Sequence, residues 1–77
     1  MADFRVWGRI EPIGRDQFFV IASAVPERQG DERVIVLTKT ATNLPDANRE
    51  RSRLMVEVGA SIRARGDTVV DVEDDGG

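Results

Sequence analysis

Arg5, Trp7 and Arg9 stand at alternate positions near the start of the chain, so on an extended strand they share one face. Two guanidinium groups flanking an indole can hold single-stranded nucleic acid through phosphate pairing and base stacking. The same trio suits a protein interface, where Trp and Arg are frequent anchors. The ordinary alternative is that Trp7 packs on a neighbour while the arginines snorkel or pair with Glu11. A second basic series, Arg49, Arg53 and Arg63, falls on the outer face of a helix-forming stretch, with Glu57 spaced to pair with Arg53. These arginines could face a duplex, although a charged outer face is the usual state of an amphipathic helix. Arg51 turns instead toward the apolar stripe of that helix, where it needs a carboxylate or a place at the rim.

Other chemistries are excluded by residue type. Histidine and cysteine are absent, which removes the Ser–His–Asp and Cys–His arrangements, the usual zinc ligand sets and disulfides. Ser23, Ser52 and Ser61 have no lysine near them in sequence, and the scattered glycines form no phosphate-cradling motif. Asp67, Asp71, Glu73, Asp74 and Asp75 remain as candidates for magnesium binding or acid–base work. A run of this kind near a chain end is ordinarily a solvated tail, too loose to fix coordination geometry. The chain therefore reads as non-catalytic, with no metal and no cofactor. Its net charge of −3 supplies no global attraction for nucleic acid or anionic lipid. No apolar stretch approaches the roughly 18 residues of a membrane span, and Met1–Arg5 lacks the basic-then-apolar order of a secretory signal. The cytoplasm is the expected compartment.

The elements that must position these residues follow from periodicity. Phe4 to Ile10 alternates, with Phe4, Val6, Gly8 and Ile10 on one side. Pro12, Gly14 and Asp16 mark a turn. Gln17 to Val25 is a nearly continuous apolar run, Glu27 to Glu32 a polar loop, and Arg33 to Thr40 a third strand rich in β-branched residues. Asn43 is a good N-cap with Pro45 in the first turn, and Gly66 suits the left-handed position after the last turn. Between them Leu44, Ala47, Leu54, Met55, Val58 and Ile62 form a stripe at helical spacing. Thr68 to Val72 reads as a fourth strand and residues 73–77 as an acidic tail. The fold class predicted is a single α+β domain, β-β-β-α-β, with an antiparallel meander and one long helix on one sheet face.

A chain of 77 residues buries only about 60 to 65% of its unfolded surface. The middle strands carry apolar residues on both faces: Phe18, Val20 and Ala22 against Phe19 and Ile21, and Val34 and Val36 against Ile35 and Leu37. A single helix covers one face only. The other is an interaction surface, with Arg5, Trp7, Arg9, Phe19, Ile21, Ile35 and Leu37 as candidate contacts and a homodimer or another protein as the expected partner. The competing expectation is a small nucleic-acid binder using Arg5, Trp7, Arg9, Arg49, Arg53 and Arg63.

Several local words resemble the HicB-like antitoxins, which have a partial ribonuclease-H-like fold. Ile10-Glu11-Pro12, a turn, and Phe18-Phe19-Val20-Ile21 ending in Val25-Pro26-Glu27 are similar to that family's first hairpin. Asn43-Leu44-Pro45-Asp46-Ala47 resembles its capped, proline-started helix entry. The similarity spans residues 4 to 72 and implies protein binding and self-association. The Gly-Cys and Gly-Asp-Thr elements of that family's third strand are missing, and no operator-binding segment follows, so the resemblance implies only the toxin-binding or oligomerising half. The nuclease carboxylates of the wider fold have no counterpart on the buried face of the first strand.

Overall fold

Alternation of buried and exposed side chains carries the first strand, β1 (Asp3–Gly14), past the expected turn. Pro12 is accommodated by a register irregularity between Pro12 and Gly14, where a ladder donor is not required. The turn to β2 (Gln17–Pro26) therefore narrows to Arg15 and Asp16. β3 (Ile35–Ala41) follows, then α1 (Leu44–Ala64) and β4 (Thr68–Asp74), which runs two residues beyond its expected end. The computed structural model describes residues 2–28 and 34–74, with side chains through Val72. Residues 29–33, which include most of the polar loop and the start expected for the third strand, and residues 75–77 of the acidic tail lie outside the described residues.

The order in the sheet is β3-β2-β1-β4. The first three strands form the antiparallel meander, and β4 joins parallel to β1, making the sheet mixed. Helix α1 bridges the two edges, as a parallel neighbour requires. Its ends are set by side chains close in sequence. Asn43 Oδ1 accepts from the Asp46 amide at 2.8 Å, and Asn43 Nδ2 donates to Asp46 Oδ2 at 3.0 Å, so cap and first turn hold each other. At the other end the Gly66 amide donates to Arg63 O and the Asp67 amide to Ile62 O, the paired bonds of a Schellman motif, with Gly66 at φ 86°.

The core lies between α1 and one sheet face. Phe4, Val6 and Ile10 of β1, Val20, Ala22 and Ala24 of β2 and Ala41 of β3 meet Ala47, Leu54, Val58 and Ile62. Leu44, expected on the buried stripe, stands exposed at the first helical position, one turn before the first buried helix residue, Ala47. Arg51 lies inside rather than at the rim: the residue is only 8% exposed and its stem runs over β1. Helix and sheet come close together at Gly8. A Cβ there would overlap Met55 Sδ and sit 2.8 Å from Arg51 Cγ, so only glycine admits the helix at this height. Gly59 makes the opposite case, since a Cβ would meet only the mobile end of Arg63, at 3.4 Å.

Two substitutions read this packing. Gly8→Val should lower stability by about 1–3 kcal/mol through overpacking, seen as a lower urea midpoint with an unchanged slope. Gly59→Ala should raise it by about 0.5–1 kcal/mol by removing the helix cost of glycine. Equal behaviour of the two glycines in urea would contradict the contact geometry.

Candidate functional site

The face of the sheet turned away from α1 is built by strict alternation. Arg5, Trp7, Arg9 and Glu11 of β1 lie beside Val25, Ser23, Ile21 and Phe19 of β2 in turn. On the far side Ser23, Ile21 and Phe19 neighbour Val36, Thr38 and Thr40 of β3. The sheet therefore brings Arg5, Trp7, Arg9, Phe19 and Ile21 together, as the sequence suggests. It does not bring Ile35 and Leu37 to them. Ile35 pairs with Ala24 and Leu37 with Ala22, both fully buried under the helix, so these two side chains pack against the core instead. Their neighbours Val34 and Val36 take the open face and are 52% and 55% exposed. A strand with apolar residues on both faces carries no internal mark of which parity faces inward; pairing with β2 decides it.

The two halves of this face differ. Toward β4 the charges are neutralised locally: Arg5 lies 3.2 Å from Glu27 and 3.4 Å from Asp71, and Arg9 lies 3.1 Å from Glu11. Toward β3 the face carries exposed Val25, Val34 and Val36 beside half-buried Trp7, Phe19 and Ile21, with exposed Thr38 and Thr40 completing the β3 side. Ser23, set between Trp7 and Val36, is 2% exposed although it points away from the helix. Neighbouring side chains thus already close over the centre of the face. Arg5, Trp7, Val25, Pro26 and Glu27 border a shallow depression at its end.

The helix arginines belong to a different surface, because α1 covers the opposite side of the sheet. Arg49 pairs with Asp46 at 3.4 Å and Arg53 with Glu50 at 3.7 Å, not with Glu57 as its spacing allows. Glu50 also receives Lys39, Nζ lying 3.2 Å from Oε2 without hydrogen-bond alignment. Arg5, Trp7 and Arg9 therefore do not form one basic surface with Arg49, Arg53 and Arg63. Among the described residues no group of three acidic side chains is placed to hold a metal ion, and no helix is long and apolar enough to cross a membrane. No protein-family model matches the chain, and neither a curated protein nor a solved structure was found to be similar to it.

The ion pairs at this face are solvent-exposed, so each should contribute little. Asp71→Asn and Glu27→Gln should each lower stability by less than about 1 kcal/mol at low ionic strength. The difference should vanish in molar salt; a loss that persists there, in parallel urea titrations, would show the carboxylates acting otherwise.

Proposed function

We propose that this chain is a non-catalytic protein-interaction module that self-associates through the open face of its sheet. The observation that carries this reading is the gathering of Trp7, Phe19, Ile21, Val25, Val34 and Val36 on the uncovered face, with only Ser23, Thr38 and Thr40 among them and arginines already held by carboxylates at their side. An apolar patch of this kind on a small domain marks an interaction site. A second copy fits it because a two-fold contact presents the same apolar patch to itself and opposes no uncompensated charge. Four strands about 4.8 Å apart and averaging about 30 Å in length offer on the order of 600 Å² per copy over the whole face, near the lower bound of specific interfaces. That size suits a reversible dimer with a dissociation constant on the order of 1–100 µM. The resemblance to the HicB-like antitoxins points to the same class of function.

The nucleic-acid reading is weaker on the same observations, since four of its five arginines (Arg5, Arg9, Arg49 and Arg53) are ion-paired and the set is divided between two faces. Salt separates the two. Sedimentation velocity should show monomers converting to dimers across the micromolar range, with association unchanged or strengthened as salt rises, because the patch is apolar and the chain carries −3. Trp7→Ala should weaken the dimer by about tenfold or more, the effect of a central aromatic anchor. A labelled oligonucleotide retarded at low salt and released steeply as salt rises would replace this reading with the nucleic-acid one. A monomer at high micromolar concentration would dismiss self-association.

A further inference from the structure

Helix α1 lies over β1, β2 and β3 and barely reaches β4. On the helix side of the sheet this offset leaves a groove of about 160 Å³ between α1 and β4, lined by Met55, Val56, Gly59, Arg63, Val69 and Val72. That is close to the volume of an apolar cavity that accepts a benzene-sized group. Val56 and Val72 on its walls are 70% and 60% exposed, large values for aliphatic side chains flanking a concave site. The groove holds one cation. Arg63 folds back so that Nη1 lies 3.4 Å from where a Gly59 Cβ would be, and among the described residues no carboxylate pairs with it. β4 is also the sheet's edge, and among the described residues no strand pairs with its outer side.

We infer that this groove binds the carboxy-terminal end of a partner protein's extended chain, whose last residue is aliphatic. An extended peptide can add to the edge of β4 while one side chain enters the groove. The guanidinium sits inside the same small space as the apolar walls, so the aliphatic group and the carboxylate must arrive together. Successive side chains of a strand point to opposite faces, so an Asp or Glu next to the aliphatic residue would point out of the groove. A chain-terminal Val, Leu or Ile carries both groups on one Cα. The register shift between Phe4 and Arg5, which leaves Val70 as an extra residue in β4, interrupts the ladder. A short addition such as a chain end suits this edge better than a long strand. The site lies across the sheet from Trp7 and does not depend on the dimer.

The test uses the acetylated peptide Ser-Thr-Thr-Val-Leu with a free C-terminal carboxylate, its C-terminal amide, and a version ending in Ser, each titrated into ¹⁵N-labelled protein. The free acid should move the amides of Gly59, Val69 and Val72. The amide and the Ser-ended peptide should bind about tenfold more weakly or worse, the loss of a charge-assisted contact or of the buried side chain. Arg63→Gln should remove the preference for acid over amide without altering the urea midpoint, since the residue is exposed. Trp7→Ala should leave the titration unchanged, which keeps this outcome separate from that of the open face. Equal binding of acid and amide, no movement at millimolar peptide, or movements confined to Trp7 and Val36 would each overturn the proposal.

Discussion

Met55 and Arg51 lie directly on the backbone of β1 at Gly8, and this contact sets how closely one helix can approach four strands. With the helix seated at that height, Phe4, Val6, Val20, Ala22, Ala24, Val58 and Ile62 are removed from water almost completely. The cost of the arrangement is its one-sidedness. A domain this small has no second layer to place on the other face, so whatever apolar residues alternation puts there stay outward. Both surfaces of functional interest follow from that geometry: the field around Trp7 and Val36, and the groove left where the helix falls short of β4.

The placement of β4 beside β1 depends on a polar corner at the end of the helix. Asp67, whose side chain is 7% exposed, accepts from the Ala2 amide at 2.9 Å through Oδ1 and lies 3.3 Å from Arg65 through Oδ2. Its own amide closes the helix on Ile62, and the Thr68 amide donates to Ala2 O at 2.9 Å. Arg65 in turn lies over the Phe4 ring, 5.2 Å from its centroid. The Asp67 carboxylate thus ties Ala2, just before the first strand, to the end of the helix, and the backbone bond from Thr68 to Ala2 starts the last strand alongside. That directs the chain leaving Gly66 along β1 rather than away from the sheet.

Much of this was legible in the sequence, because the signals concerned are local. Asn43 with Asp46, Pro45 and Gly66 bracket the helix, and Phe4 to Ile10 shows which side of β1 is buried. Ile35 and Leu37 were not legible, because a strand apolar on both faces takes its parity from a partner. Only the pairing of Ala22 with Leu37 and of Ala24 with Ile35 settles it. The same limit applies to Arg53, which has acidic residues at both helical spacings and takes Glu50. The groove beside β4 carries no sequence signature. Val56 reads as a stray apolar residue on a polar face, and Arg63 as an ordinary solvated arginine, until the offset of the helix brings both beside Val69 and Val72.

The central claim, that the face opposite the helix is hidden by a second copy, is tested most directly by isotope-filtered NOE spectroscopy on a mixture of labelled and unlabelled chains. Contacts between molecules should run from the Trp7 indole to the methyl groups of Ile21, Val25 and Val36. Intermolecular contacts restricted to Val56 and Val72, or none at concentrations near millimolar, would contradict it.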